Sequence, residues 1–172
     1  MTAAAISPVA RKLLVKPGQR VRVLSPEPVI DAALARLPDG ASRVTRSVAE
    51  VVLLFARDSK ALAREAPRAI AALAPEGALW IAYPKISSGV KTDLTRDRGW
   101  GPVVSAGFAV VSLVAIDETW SALRWKRDLG GALTAERAAR VASRAKEKPA
   151  AAKKRARVKP GAPRVSGQPE RQ

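Results

Sequence analysis

The chain has 172 residues, of which 47% are apolar, enough for one domain with a buried core and an appended segment. It contains neither cysteine nor histidine, which excludes disulfides, thiol nucleophiles, serine–histidine triads and zinc sites built from these residues. The net charge of +16 is unevenly distributed, with +7 up to Asp128 and +9 over residues 129–172, which predicts a C-terminal segment attracted to polyanions.

The first half of the chain alternates helical and strand patterns. Apolar residues at helical spacing predict helices over residues 6–15 and 28–37. The alternating, β-branched segment Arg20–Leu24 predicts a strand, and residues 42–45 predict a second, short one. Turns are expected at residues 16–19 and 38–40, where proline and glycine occur together.

The second half begins with a continuous apolar run over residues 50–56, which is typical of a strand buried on both faces. Asp58 can cap the next helix, which Pro67 can kink or split. A turn at residues 75–77 and a strand at 78–83 follow, then a polar loop and a helix capped by residues 92–93 that runs toward residue 106. Residues 108–116 and 119–126 predict an antiparallel strand pair.

These elements predict an α/β domain over residues 1–128, with a mostly parallel, Rossmann-like sheet, helices on both faces and an antiparallel C-terminal edge. Residues 129–172 are predicted to form a basic Ala/Lys/Arg/Pro-rich tail, helical at 134–146 and otherwise disordered. Residues 1–16 lack the apolar region of a signal peptide, and the longest apolar stretch, 106–116, is too short for a membrane helix. We therefore expect a cytoplasmic protein without a membrane partner.

Two family resemblances follow from these segments. Residues 73–81 resemble a turn and strand late in the class I methyltransferase fold, and the closing strand pair is similar to the antiparallel edge of that fold. Residues 6–127 more closely resemble an uncharacterised bacterial family, domain of unknown function 3052. The segments that carry this second resemblance are Lys-Pro-Gly at 16–18, Val-Val-Leu-Leu-Phe at 51–55, Leu-Trp-Ile-Ala-Tyr-Pro-Lys at 79–85, Thr-Asp-Leu at 92–94 and Asp-Glu-Thr-Trp-Ser at 117–121. The resemblance implies a Rossmann-like fold and brings no known activity.

The turn after the first strand departs from the methyltransferase pattern. Those enzymes hold their cofactor with a glycine-rich turn, whereas residues 24–28 read Leu-Ser-Pro-Glu-Pro and contain no glycine. The two prolines remove backbone donors, and close approach of a nucleotide-like ligand to the backbone needs glycine. The sequence therefore predicts neither ordinary S-adenosylmethionine binding nor any other cofactor, metal or catalytic residue.

The polar loop after residue 84 is the most site-like segment of the domain, because ligands of open α/β sheets lie beyond the carboxyl ends of the strands. Its lysines, hydroxyls and glycine can hold a small anion, and the alternative is a solvated connection. Asp117 and Glu118 can bind a cation or act as acid and base, but an exposed tight turn is the favoured interpretation. The candidate ligand-binding residues are Lys85, Ser87, Ser88, Gly89, Thr92, Asp117 and Glu118.

The tail carries the stronger functional signal of the sequence. Its basic residues can contact phosphates and give salt-sensitive, sequence-independent binding to DNA or RNA, whereas the alternative is a solubilising tail without a partner. The candidate nucleic-acid-binding residues are Arg137, Arg140, Arg144, Lys153, Lys154, Arg155, Arg157 and Lys159.

These observations favour a non-catalytic Rossmann-like binding domain with a nucleic-acid-binding tail, the domain itself contacting an unknown protein or a small anion. One rival is an enzyme or sensor that holds a small anion or nucleotide-like ligand on the 85–92 loop. Another is a structural interaction module, for which an exposed apolar edge near Trp120 and Trp125 would be the indication.

Overall fold

The computed structural model describes residues 5–128 and residue 131, which form one six-stranded sheet and its flanking helices. The strands are β1 (Arg20–Leu24), β2 (Ser42–Val44), β3 (Ala49–Phe55), β4 (Leu73–Pro84), β5 (Phe108–Ala115) and β6 (Trp120–Arg127). The helices are α1 (Pro8–Lys12), α2 (Val29–Ala33), α3 (Ser59–Ala71) and α4 (Gly101–Ser105), with a 3-10 turn at Ile86–Ser88. Within this described part, no helix is long and apolar enough to cross a membrane.

The sheet has the strand order β2-β1-β3-β4-β6-β5. The pairs β1–β2, β1–β3 and β3–β4 are parallel, whereas β4–β6 and β5–β6 are antiparallel. This arrangement confirms the predicted α/β class, the mostly parallel sheet and its antiparallel edge. The chain moves from β1 outward to β2 and then back past β1 to β3, so the connections reverse direction between β1 and β3.

Each face of the sheet is covered by two helices. On one face, α3 and α4 pack Leu62, Ala66 and Val103 against a cluster that includes Ile81 and Trp125. The other face is covered by α1 and α2, which contribute residues such as Leu13 and Ile30 to a second cluster. Apolar residues point alternately to the two faces along a strand, so the continuous apolar runs of β3 and β4 supply both clusters.

Helix α3 begins where its sequence predicts. Asp58 is its N-cap, and the carboxylate accepts a 2.8 Å hydrogen bond from the Ala61 amide, which satisfies one of the free donors of the first turn. Pro67 lies inside the helix, but α3 continues without interruption from Ser59 to Ala71. The expectation that this proline splits the helix is therefore wrong.

The predicted turn at residues 75–77 is wrong, because these residues lie within β4. The register with β3 moves from Ala49↔Leu73 to Val51↔Ala78, so the extra residues are accommodated as a bulge that leaves the strand uninterrupted. A Cβ added to Gly77 would lie 2.6 Å from the Leu73 side chain and 3.0 Å from the Glu50 carbonyl oxygen. Gly77 therefore lies where strands β3 and β4 approach each other closely, and not at a turn that reverses the chain direction.

The helix predicted to run from residues 92–93 toward residue 106 is also wrong in its extent, since only Gly101–Ser105 is helical. The Thr92 hydroxyl accepts a bond from the Leu94 amide, and the Asp93 carboxylate accepts bonds from the backbone and side chain of Ser59. These side chains therefore fasten a loop instead of capping a helix at their own position. Helices α1 and α2 are likewise shorter than predicted, five residues each.

A carboxylate–guanidinium pair joins β1 to β3 at the start of both strands and gives stability a dependence on pH. Glu50 accepts bonds from the Arg20 guanidinium (2.6 and 3.2 Å) and the Arg20 amide (2.8 Å), which lowers the pKa of Glu50 to about 2. This stabilisation is present above the unfolded-state pKa, about 4.3, and is lost as pH falls toward 2. We expect Glu50→Gln to cost about 1 kcal/mol at pH 7, allowing for solvent screening.

Urea unfolding of both proteins at several pH values tests this expectation. The difference in free energy of unfolding between the native chain and Glu50→Gln should shrink as pH falls from neutral toward 2. Glu76→Gln is a suitable control, because Glu76 is exposed. If this difference in unfolding free energy stays constant with pH, the Arg20–Glu50 pair is not the source of the pH dependence of stability.

Candidate functional site

The carboxyl ends of the parallel strands β1, β3 and β4 lie at one edge of the sheet. Strand β6 begins at this same edge, because it is antiparallel and Trp120 pairs with Pro84 at the end of β4. Open α/β sheets hold their ligands at this edge. Two features lie there: a crevice between β1 and β3, and an open cleft beside the ends of β4 and β6.

An ion pair spans the crevice between β1 and β3, where the chain connections reverse direction. The Glu27 carboxylate accepts two bonds from the Arg57 guanidinium, at 2.9 and 2.8 Å, and the Glu27 side chain is only 16% exposed. Glu27 follows β1, while Arg57 follows β3. The bidentate pair therefore joins the two strand ends across the place where a nucleotide-like ligand would lie in a related fold.

The open cleft has a volume of about 460 Å³. Its floor includes Tyr83 and Ser121, which are directly paired in the register of β4 and β6. Residues paired across antiparallel strands point to the same face, so these two hydroxyl-bearing side chains lie side by side. The lining residues are Tyr83, Lys85, Ile86, Ser87, Thr95, Arg96 and Ser121.

Lys85 and Arg96 are the cations of the cleft. The Lys85 ammonium donates one bond to the Asp117 carbonyl oxygen at 2.5 Å, and the Lys85 amide donates to the Thr119 carbonyl at 2.8 Å. An ammonium has three donors, so this fixed lysine can still donate to a ligand. Arg96 is exposed on the loop that borders the opposite part of the cleft.

Tyr83 provides a neutral donor in the same cleft. Burial raises the pKa of Tyr83, an effect that the Arg96 charge opposes and the Asp97 charge assists. The phenol therefore stays protonated at neutral pH. Its ring also packs edge-on against Trp100, with the ring centroids 5.3 Å apart, which restricts its orientation.

The loop that carries Thr95 and Arg96 is held to the domain at three points. Leu94 is fully buried in the cluster under α3 and α4. Asp93 accepts bonds from Ser59 at the first turn of α3, and these bonds lower the pKa of Asp93. The Trp100 indole donates to the Thr95 carbonyl at 2.8 Å. These contacts position both lining residues of the loop.

The residues that the sequence assigned to one site fall into two groups. Lys85 and Ser87 line the cleft. The hydroxyl of Ser88 instead donates to the Lys85 carbonyl at 2.6 Å, Gly89 ends the 3-10 turn in the left-handed conformation with φ 74°, and the Thr92 hydroxyl accepts from the Leu94 amide. These last three residues shape the loop and do not line the cleft.

The acidic pair after β5 is used by a turn. The Asp117 carboxylate accepts bonds from the Thr119 and Trp120 amides at 2.9 and 2.6 Å, and Glu118 is exposed. Neither residue lines the cleft, but the Asp117 carbonyl oxygen anchors Lys85. Trp120 and Trp125 are buried, at 5% and 1% exposure, so they do not form the exposed apolar edge that an interaction module would require.

The tail residues lie outside the described part of the chain, so their role in nucleic-acid binding stays a prediction.

Five residues that line the cleft were not predicted from the sequence: Tyr83, Ile86, Thr95, Arg96 and Ser121. Tyr83 and Ser121 are separated by 38 positions and meet only through strand pairing. The Trp-Ser dipeptide at the start of a predicted antiparallel strand was the one available signal for Ser121.

Comparison with known proteins identifies no family for this chain. Neither a scan against protein-family models nor a search of curated proteins gives a match. Among solved structures, the chain is similar to a ribosomal protein L11 methylase from Lactobacillus delbrueckii subsp. bulgaricus, with a TM-score of 0.43, 12% identity, and coverage of 70% of this chain and 75% of that one. It is also similar to the B. subtilis M1A22 tRNA methyltransferase TrmK (TM-score 0.42, 6% identity, coverage 73% and 68%). A third similar structure is the Methanococcus jannaschii fibrillarin pre-rRNA processing protein, with a TM-score of 0.45, 12% identity, and coverage of 66% of this chain and 68% of that one. At these identities the likeness concerns the fold alone.

The comparison contradicts the prediction of a non-catalytic domain, since the neighbours include proteins named as a methylase and a methyltransferase. We do not retain that prediction. S-adenosylmethionine is the cofactor of the methyltransferase fold that residues 73–81 resemble. The crevice between β1 and β3 does not fit it, because the Glu27–Arg57 pair spans the crevice and the connecting residues Pro26 and Pro28 provide no backbone donor.

Proposed function

We propose that the domain binds a small organic anion as its substrate in the cleft lined by Tyr83, Lys85, Arg96 and Ser121. The observation that carries this proposal is that two cations and four hydroxyl groups meet in one open cleft at the carboxyl edge of the sheet. A few converging polar groups in a concave site are typical of small-molecule binding. The volume of about 460 Å³ also lies in the usual range for such sites.

The groups of the cleft have distinct roles in this proposal. Lys85, which its bond to the Asp117 carbonyl holds in place, neutralises one charge of the ligand, and Arg96 can donate two parallel bonds to a carboxylate or phosphate. The Tyr83 phenol, which its raised pKa keeps protonated, donates to an oxygen on which negative charge develops. Ser121 lies beside Tyr83 and supplies a hydroxyl to the same region.

We also propose, as the sequence suggests, that residues 6–127 belong to domain of unknown function 3052 and act in the cytoplasm. The placement of the characteristic segments supports the family assignment. Lys-Pro-Gly at 16–18 forms the turn before β1, in which Gly18 has φ 74°. Pro84 ends β4 and Lys85 lines the cleft, while the Asp-Glu-Thr-Trp-Ser segment forms the turn that anchors Lys85.

Titration with inorganic phosphate at constant ionic strength tests the anion site. Trp100 packs against Tyr83, so tryptophan fluorescence should report saturable binding in the millimolar range. We expect Lys85→Ala and Arg96→Ala each to weaken binding by about tenfold, the size of one charged hydrogen bond.

Lys91→Ala is the matched control, because Lys91 is an exposed lysine of the same loop that does not line the cleft. It should bind phosphate as the native chain does. Equal weakening by all three substitutions would indicate non-specific attraction to the basic chain. No saturable change at any phosphate concentration would contradict the proposed function.

A further inference from the structure

We propose that the anion bound in this cleft carries an apolar group, either aliphatic or aromatic, so that the ligand is an amphiphilic carboxylate or phosphate monoester. This inference rests on the proposed anion site and adds the class of its ligand. Its starting point is Ile86, which lines the cleft next to Lys85.

Ile86 lines the cleft and is the most exposed large apolar residue among the described residues. It is 78% exposed, whereas the other exposed large apolar side chains of the described residues range from 43% to 57%. Such surface is stabilised when a partner removes it from water. Because Ile86 follows Lys85 directly, a ligand whose acidic group binds that lysine has its remaining atoms within reach of the isoleucine.

The backbone around Ile86 is fixed, so its exposure is a property of the site and not of a loosely held chain end. The Lys85 amide donates to the Thr119 carbonyl at 2.8 Å. The Ser88 amide and hydroxyl both donate to the Lys85 carbonyl, at 3.0 and 2.6 Å. These bonds hold the 3-10 turn that presents the isoleucine.

A second apolar side chain lies beyond the floor of the cleft. Leu113 on β5 pairs with Leu123 on β6. Leu123 lies two residues after Ser121 on the same strand, so the side chains of Leu113, Ser121 and Leu123 point to the same face of the sheet. Leu113 is 43% exposed. The exposed part of Leu113 therefore lies on the same face of the sheet as the cleft residue Ser121.

The charge of the cleft limits the acidic part of the ligand. Lys85 and Arg96 are the cations among the lining residues, and Lys85 already shares one donor with the Asp117 carbonyl. Two cations are sufficient to neutralise one carboxylate or one phosphate monoester. A nucleoside triphosphate would bring more negative charge than these groups neutralise.

Calorimetric titrations with phenyl phosphate and inorganic phosphate test the inference, because the two probes share an acidic group and differ in the apolar one. We expect the native chain to bind phenyl phosphate about tenfold more tightly, a factor that corresponds to removing a few methylene-sized areas from water. Ile86→Ser should remove most of this preference, because it should weaken the binding of phenyl phosphate far more than that of inorganic phosphate.

Val111→Ser is the matched control, since Val111 is a 43% exposed apolar residue that does not line the cleft. It should keep the full preference for phenyl phosphate. Equal affinity for both probes, with binding still lost in Lys85→Ala, would overturn the inference and leave the anion site standing. Binding of both probes that is insensitive to Lys85→Ala would overturn the proposed function itself.

Discussion

Replacement of Trp80 by alanine is expected to lower the free energy of unfolding by about 3–5 kcal/mol, the usual cost of removing a large buried aromatic side chain. Trp80 lies in β4 and is fully buried in the cluster beneath α1 and α2. Its indole nitrogen donates a 3.1 Å bond to the carbonyl of Leu13, which ties the end of α1 to the centre of the sheet. The substitution removes this bond and leaves a cavity.

Urea unfolding followed by circular dichroism measures this loss without relying on tryptophan fluorescence. Val111→Ala, at a half-exposed position on the edge strand, is the control and should change stability by less than about 1 kcal/mol. The loss of unfolding free energy for Trp80→Phe should lie between those of Trp80→Ala and Val111→Ala, because phenylalanine keeps an aromatic ring but lacks the indole donor. A small effect of Trp80→Ala would mean that α1 contributes little to the folded domain.

Replacement of Leu94 by alanine is expected to cost about 2–5 kcal/mol and to weaken binding in the cleft at the same time. Leu94 is fully buried although it lies in a loop, and it directly precedes Thr95 and Arg96, which line the cleft. Loss of this anchor should allow both residues to move away from Tyr83. Misplaced binding groups lose affinity even when the groups themselves are unchanged.

Thermal unfolding and phosphate titration of the same Leu94→Ala sample separate the two effects. The titration should be carried out well below the unfolding temperature, so that reduced affinity reflects the loop and not unfolded protein. Val104 on α4 is 57% exposed, so Val104→Ala should change neither the unfolding temperature nor the affinity for phosphate. If Leu94→Ala loses stability but binds phosphate normally, the loop does not depend on this anchor for its position.

The two features at the carboxyl edge suggest why the cleft lies where it does. The crevice between β1 and β3 is the usual ligand position in an open α/β sheet, and here it is spanned by the Glu27–Arg57 pair. The cleft described above lies instead beside the antiparallel strand β6. It lies at the same edge because β6 begins next to the end of β4.

Much of the fold could be predicted because its signals are local. Strand β1 has the bounds predicted from its alternating pattern, and Asp58 caps α3 as predicted. The last two strands form the predicted antiparallel pair. The failures came from side chains whose partners are distant in sequence. Asp93 was expected to cap its own helix, but it binds Ser59, 34 positions earlier, and no local pattern encodes such a contact.

The sequence by itself determined the alternation of helices and strands, because periodicity and capping act within a few residues. It also placed Lys85 and Ser87 at a strand end, where ligands of such sheets lie. Only the tertiary structure decided that Tyr83 and Ser121 are neighbours, that the Asp117 carbonyl anchors Lys85, and that Arg96 borders the same cleft. The physical reason is that strand register and loop anchoring join residues from distant parts of the chain, and the free energies that select these contacts depend on the whole packed core.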